Sequence, residues 1–557
     1  MRKLASLWEK SILSCTFEVM KKGLGLLMAL FLLPLLAGAV DDVLRFRLYL
    51  KDKPDLTMSP MPYRLSPAAL ERRTKQGIAL DSTDLPIAPG YLQAIREKGL
   101  PIVSQSHWMN SVVVSMADSS GLDSLKGLPF VREAKLVWVN PALKKASSKK
   151  RVVTRNKYIT DSLSYYGKAE SQVEMLGLDA LHTAGFKGGS MTIAIIDAGF
   201  IGADTISFFK DLKVKATRDF IYPPTTVYNG HYHGTAVLSL MASQKPYTIV
   251  GTAPEASYCL LRSEDNSSEF PIEEDYWAAA AEFADSIGAD IINSSLGYSE
   301  FDMSSLSYTK NQLDGKTAFV TKAATMAASK GMLVVISAGN EGAKPWRKIN
   351  FPSDAPEVLT VGAVQADLSR GYFSSIGPTA DGRIKPDIMA MGVNNTIING
   401  VGAVTFGSGT SFSAPLIAGM AACVWNALPM LKASELRTKI IESSDRFLTP
   451  DTLYGYGIPN AQKLWLTIKN SLDQKKLDRF YCYPSPASDK LYLASFLQTQ
   501  ESVKVIIYNS FGRKVLEKTL SGSALSVDVS NLPNSIYLVD FIVSGVRQAT
   551  QKILVQR

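Results

Sequence analysis

The pattern of apolar and polar positions changes character several times along the chain. Residues 24–36 form a nearly unbroken apolar run. Between 43 and 140 alternating and helical stretches mix. Residues 43–50 (VLRFRLYL) alternate as a strand does, and 110–115 and 132–139 predict two more. Helices are predicted at 66–76 and 89–98, with a short one at 121–128. The first opens on Ser66-Pro67, a cap followed by proline at the first helical position. Residues 144–167 are polar, basic and aperiodic, and read as a linker. Continuous apolar runs then recur at 192–196, 256–261, 290–293, 333–337 and 358–361, with helical stretches such as 274–286 and 318–330 between them. Runs apolar at every position suit strands buried on both faces, so a parallel sheet with helices on both faces is predicted. From 480 onward short alternating stretches return at 490–493, 503–508, 514–519, 525–529, 535–543 and 548–555. Asn509, Gly512 and Pro533-Asn534 punctuate them, as in an all-β sandwich.

The fold class is therefore α/β, preceded by a small α+β unit and followed by a small all-β sandwich. The divisions expected are 1–39, 40–145, a linker at 146–169, 170–468 and 480–557. A length of 557 residues suits two to four domains, and 46% hydrophobic with 20% charged residues argues against disorder. The net charge of +9 does not mark a nucleic-acid partner, because basic residues are scattered among acidic ones. The densest run, Lys144-Lys145 through Lys149-Lys150-Arg151, lies in the linker and reads as a solvated, cuttable segment. The 4 cysteines show no CxxC spacing, so no zinc site is predicted. Cys259 and Cys423 fall in apolar segments as buried small hydrophobes; a bridge between some pair stays open. At the N-terminus, Lys21-Lys22, the apolar run and Ala37-Gly38-Ala39 have the form of a cleaved signal peptide, with Met20 a better start than Met1. The run is too short for a comfortable membrane span.

Three segments of the α/β block place an Asp, a His and a Ser in that order. Asp197 ends the apolar run 192–196 and precedes Ala198-Gly199. Ligands of open parallel sheets bind beyond the carboxyl ends of strands, although a strand-ending Asp also caps a following helix. His233-Gly234-Thr235 opens the buried-helix pattern 236–242. Of the other histidines, His231 lacks the Gly-Thr that would seat it, and His107 and His182 suit packing or surface roles. Gly409-Thr410-Ser411 leads, through Pro415 in what reads as the first turn, into an apolar helix. Ser411 would stand at a helix N-terminus, where free N–H groups favour developing negative charge; the plainer reading is an N-cap. A fourth segment, 334–342, is a buried strand turning through Gly339-Asn340. The Asn340 amide could donate to an oxyanion or simply occupy a tight turn.

Together these segments resemble the subtilase family of serine peptidases. Its marks are an Asp-x-Gly strand end, a His-Gly-Thr helix start and Gly-Thr-Ser-x-x-x-Pro, in the order known for subtilisin. Gly251-Thr252-Ala253-Pro254 and Ser295-Leu296-Gly297 are further matches. The resemblance implies Asp197 as orienting carboxylate, His233 as base then acid, Ser411 as nucleophile, and Asn340 with the Ser411 N–H as oxyanion hole. It also implies that Ser295, Leu296, Gly297, Ala338 and Gly339 pair with a peptide substrate as an added strand. Ala198, Ala236-Val237 and Phe412-Ser413 depart from the usual Thr or Ser, His-Val and Met-Ala, so substrate preference does not transfer. The early α+β unit resembles a subtilase propeptide, an intramolecular inhibitor cut away in the linker. The last block resembles the C-terminal sorting domain of the Bacteroidetes type IX secretion route. Its matching residues are Tyr483-Pro484-Ser485-Pro486-Ala487, Ile507-Tyr508-Asn509 with Gly512, Leu532-Pro533, and Lys552-Ile553-Leu554-Val555.

The expectation is a secreted or cell-surface serine endopeptidase acting on proteins or peptides, with its own propeptide and the secretion machinery as partners. No cofactor or metal is expected; no carboxylate-dense loop stands out for the calcium common in the family. The rival is a non-catalytic surface protein using the same scaffold. A lipase is disfavoured by the absence of a Gly-x-Ser-x-Gly elbow at Ser411, and a dinucleotide-binding sheet by the absence of Gly-x-Gly-x-x-Gly.

Overall fold

The computed structural model describes residues 44–54, 65–140, 164–474, 480–495, 502–521 and 526–556. The expected signal peptide, most of the linker and Cys15 lie outside them. Near the N-terminus, β1 (Leu44–Leu50), α1 (Pro67–Gln76), α2 (Pro89–Glu97), β2 (Ile102–Ser106), β3 (Ser111–Met116), α3 (Leu122–Lys126) and β4 (Val131–Val139) form one unit. Its antiparallel sheet runs β2-β3-β1-β4. The Ser66 hydroxyl caps α1 by accepting from the Ala69 N–H, and Pro67 fills the first helical position, as predicted.

The central block contains β5 (Thr192–Asp197), β6 (Lys213–Asp219), α4 (His233–Ala242), β7 (Ser257–Arg262), α5 (Ile272–Ser286) and β8 (Ile291–Ser294). It continues with α6 (Phe319–Ser329), β9 (Leu333–Ser337), β10 (Leu359–Val364), β11 (Ile388–Met391) and α7 (Thr410–Ala427). Seven strands form one parallel sheet in the order β11-β10-β9-β8-β5-β7-β6. Alternate residues feed two cores. Ile193 and Ile195 pack with α4 and α7, whereas Ala194 and Ile196 pack with α5 and α6. That division explains why the strands are apolar at every position. The chain lays β6 and β7 on one side of β5 and then passes over to β8 on its other side, so the strand order switches at the carboxyl end of β5. The edge strand β6 (KVKATRD) escapes the sequence pattern because most of it is exposed.

A third unit packs β12 (Phe480–Tyr483), β13 (Lys490–Ser495), β14 (Val503–Asn509), β15 (Lys514–Leu520), β16 (Ser526–Asp528), β17 (Ser535–Val543) and β18 (Val546–Val555). Its two sheets run β12-β13-β16 and β15-β14-β17-β18, around a core that includes Leu491, Val505, Val539 and Phe541. Cys259, Cys423 and Cys482 are buried free thiols, as an apolar role requires. No helix among the described residues is long and apolar enough to cross a membrane.

The N-terminal unit docks on α5 and α6 through buried charge. The Arg47 guanidinium makes bonds of 2.7 and 2.6 Å to the two Asp275 oxygens and lies 3.6 Å from the Phe319 ring centre. Arg72 and Arg73 both reach Asp285, Arg73 at 2.6 Å. Glu282 accepts from the Trp108 N–H at 3.0 Å and from the Ser106 hydroxyl, and faces His107 Nδ1 at 2.5 Å. Removing one partner of a buried pair leaves the other charge uncompensated, at a cost of about 3–5 kcal/mol. With the linker cut, the wild-type pieces should co-migrate on size exclusion and the Asp285→Ala pieces should separate; unchanged co-migration would refute the assignment.

His182 is buried beneath α7, its Nε2 3.1 Å from the Thr252 carbonyl and its Nδ1 3.1 Å from the Tyr166 hydroxyl. Burial pushes its pKa down to about 4. The unfolded chain binds the proton first, so the stability due to neutral His182 is lost as pH falls from about 6.5 toward 4, up to about 3 kcal/mol. Denaturation midpoints of wild type and His182→Gln should therefore differ in their slope over that window.

Candidate active site

Asp197 is the last residue of β5 and is completely buried. Its Oδ1 accepts from the Ala198 N–H at 2.7 Å and faces His233 Nδ1 at 2.7 Å. A carboxylate oxygen at that distance requires the proton on Nδ1, which leaves Nε2 as the acceptor. Asp197 Oδ2 is buried with no hydrogen-bond partner among the described residues. His233 opens α4, and two backbone bonds fix its approach: His231 N–H to the Ala198 carbonyl at 3.1 Å and Gly234 N–H to the Gly199 carbonyl at 3.0 Å. Gly199 has φ +135°, and a Cβ there would stand 2.4 Å from the His231 nitrogen, so only glycine permits this contact. His231 takes a supporting position, its Nδ1 accepting from the His233 N–H at 3.2 Å.

Ser411 is the second residue of α7, and the His233 ring lies 5.9 Å from that of Phe412, beside this helix start. The Ser411 hydroxyl donates to the Ser295 carbonyl at 3.3 Å, and the Ser295 hydroxyl donates to the Ser411 carbonyl at 2.8 Å. Pro415 explains the second bond. It lies in the second turn of α7, not the first as the sequence suggested, because the helix already begins at Thr410. Having no N–H, it leaves the carbonyl four residues back without its helical donor. Ser295 supplies one from the neighbouring segment.

Thr410 joins this helix start to the segment after β9. Asn340 Oδ1 accepts from the Thr410 N–H at 2.9 Å and from its hydroxyl at 3.2 Å. Thr410 Oγ1 in turn accepts from the Gly339 N–H at 3.1 Å. With Oδ1 so occupied, the Asn340 NH₂ is the end free to donate, and a Cβ on Gly409 would stand 3.7 Å from it. Sequence reasoning named Asn340 without Thr410, the residue that orients it; the Gly-Thr-Ser context was the available signal.

The structure also gathers Glu264, Glu269 and Glu273, with ligand oxygens within 4.8 Å of one another. The signal for this loop was present in the run 264–275, which holds six acidic residues. Burial raises all three pKa values, that of Glu269 to about 7. The two Glu273 oxygens accept from Asp265 N–H at 2.8 Å and Phe270 N–H at 3.4 Å, and Glu264 accepts from the Tyr298 hydroxyl, so the cluster ties its own loop together.

Comparison with known proteins defines the class. The subtilase family model matches residues 188–457, the Bacteroidota peptidase S8 propeptide model residues 45–154, and the secretion system C-terminal sorting domain model residues 481–556. The chain belongs to the subtilase family and is a serine-type endopeptidase, with a propeptide and a sorting domain of the kind that directs secretion or cell-surface display. Subtilisin NAT of Bacillus subtilis subsp. natto is 30% identical over 298 residues, covering 52% of this chain and 69% of that protein. Subtilisin DY of Bacillus licheniformis is 28% identical over 292 residues, covering 52% and 96%. The solved structure of MycP1 from Mycobacterium smegmatis aligns over 57% of this chain and 89% of that one, with 20% identity and a TM-score of 0.44.

Ser295→Ala removes the donor that replaces the missing helical bond. Chemical denaturation should show a loss of about 1 kcal/mol, and a midpoint equal to wild type would refute that role.

Proposed function

We propose that Asp197, His233 and Ser411 form the catalytic triad of this peptidase and that Asn340 with the Ser411 N–H forms its oxyanion hole. The observation that carries the reading is the 2.7 Å bond between His233 Nδ1 and a carboxylate buried from solvent. A neutral imidazole so held presents Nε2 as a base and is stabilised when it takes a proton. Ser411 Oγ turns from the Ser295 carbonyl toward Nε2 as substrate enters; such bonds tighten in the complex. His233 accepts the Ser411 proton, Oγ attacks the scissile carbonyl, and the oxyanion takes hydrogen bonds from Asn340 Nδ2 and the Ser411 N–H. The proton passes to the leaving amine, and water hydrolyses the acyl-enzyme by the same relay.

Ser295, Leu296 and Gly297 on one side, and Ala338 and Gly339 on the other, line the cleft; the Ala338 and Gly339 N–H groups are already given to Val361 and Thr410, so strand pairing with the extended substrate falls to 295–297, not to both walls as the sequence suggested. In the domain division we favour, residues 40–145 are the propeptide, the peptidase spans 170–468, and cleavage falls between about 140 and 165. The sorting block then spans 480–557. Intact mass of the secreted protein locates the cut. The scaffold-only rival is disfavoured because a buried carboxylate with one unpaired oxygen is a cost that a non-catalytic fold gains nothing by keeping.

A fluorophosphonate probe should label the matured protein at Ser411 and fail on Ser411→Ala. Asn340→Ala should lower kcat by about 10²–10³ and, because the Thr410 N–H loses its acceptor, should also cost about 1 kcal/mol of stability, far less than would unfold the protein. A rate within a few-fold of wild type would remove Asn340 from the mechanism.

A further inference from the structure

Three charged residues end three neighbouring strands of the parallel sheet, and the mechanism uses only one of them. Asp197 closes β5, Arg262 closes β7 and Asp219 closes β6. The register sets Arg262 beside Asp197 on one side and beside Asp219 on the other. Neighbouring strands lie about 4.8 Å apart, and side chains two residues apart share a face. Ile195 and Leu260, two residues before Asp197 and Arg262, pack in the same core as Val237 and Leu240 of α4, so both charges stand on the face that carries His233. Arg262 Nη1 donates to Asp219 Oδ2 at 3.0 Å. Asp219 is otherwise spent on its own loop, accepting from the Ile221 and Tyr222 N–H groups and the Thr225 hydroxyl. Toward Asp197, two buried atoms have no hydrogen-bond partner among the described residues: Arg262 Nε and Asp197 Oδ2. Ala198 gives its N–H to Oδ1 and has no side-chain donor for Oδ2. The Arg262 stem also presses on the approach to His233. A Cβ on Gly230 would stand 2.7 Å from Arg262 Nε and 2.6 Å from the Ala198 carbonyl oxygen. A buried donor on a cation and a buried acceptor on an anion, both unpaired and in one register, call for a shared explanation.

We propose that Arg262 is a positioning residue of the triad, the second counterion of Asp197, with Asp219 offsetting part of its charge from behind. The proposal rests on the reading of Asp197, His233 and Ser411 as the triad. The groups around the imidazole define what Arg262 can do. Asp197 faces it from β5, His231 from the segment before α4, and Ser411 and the Phe412 ring from the start of α7. Arg262 and then Asp219 stand behind Asp197 on β7 and β6. Glu264, beyond the end of β7, lies within reach of the Asp197 charge, but burial pushes its pKa well up and leaves it uncharged. Arg262 supplies the fixed positive charge of this set. A cation behind Asp197 opposes protonation of the carboxylate and of the imidazole alike. It therefore extends the pH range over which His233 is a neutral base. An ion pair that served only to join β6 to β7 would have no such effect.

The test uses the full chain, expressed and allowed to mature, and follows the rate of fluorophosphonate labelling at Ser411 as pH is varied. The wild-type rate should fall on the acid side as His233 takes a proton. Arg262→Met removes the cation and should move that midpoint up by about half a pH unit or more. Arg262→Lys keeps the charge and should move it less than half as far. Asp219→Asn keeps an acceptor for its loop, leaves the Arg262 charge without its offset, and should move the midpoint down. Opposite shifts from the two partners of one ion pair separate this role from loss of the bridge itself, which would change the rate alike at every pH. A midpoint that stays in place or moves the other way in Arg262→Met or in Asp219→Asn overturns the proposal, and so do equal shifts in Arg262→Met and Arg262→Lys. Should Arg262→Met fail to fold, the sign of the Asp219→Asn shift decides alone. A wild type that takes no label at Ser411 overturns the triad and this proposal with it. Labelling with an unmoved midpoint overturns the proposal alone.

Discussion

A carboxylate held out of water at the end of a central strand is the constraint around which the molecule is arranged. Asp197 is completely buried, and one of its oxygens carries both of its hydrogen bonds. A charge in that position is tolerable only if the groups facing it are fixed. The two glycines at Gly199 and Gly234, the pairing of residues 198–199 with 231–234, and the burial of α4 all serve to keep one imidazole in place. The order of strands does the rest. Because the chain lays β6 and β7 on one side of β5 and then passes to β8 on the other, a space opens at the carboxyl edge beside β5, and helix starts from distant parts of the chain meet there.

The helix that meets it, α7, is apolar nearly all round and threads the larger of the two cores. Its buried length fixes its axis, and its first turn is held by neighbours. Thr410 engages Gly339 and Asn340, and Ser411 exchanges two hydrogen bonds with Ser295. Pro415 makes this possible by withholding a donor from the turn. The turn that carries Ser411 is thus tied to the segments after β8 and β9, and its position depends on theirs.

Much of this was legible in the chain. Strands buried on both faces announce themselves as unbroken apolar runs, and β5, β7, β8, β9 and β10 fall where those runs are. Asp197, His233, Ser411 and Asn340 stood in motifs whose spacing the fold later brought to one edge. What escaped did so for physical reasons. The edge strand β6 carries lysines and arginine on an exposed ladder, so no hydrophobic period marks it. The ion pair between Arg47 and Asp275 joins residues 228 apart, and neither has a local signature. The place of Pro415 was misjudged by a turn, since a proline rule for helix starts says nothing about a helix whose missing bond is supplied from outside.

The docking surface on α5 has a consequence for the life of the protein. Residues Ile272–Ser286 carry five carboxylates and no basic side chain. Left alone, that helix would repel itself; the guanidinium groups of the N-terminal unit act as its counterions. None of those contacts depends on the peptide connection between the two parts. Severing the chain and shedding the severed piece are therefore distinct events, and the second waits until something else neutralises the helix or the freed piece is itself destroyed.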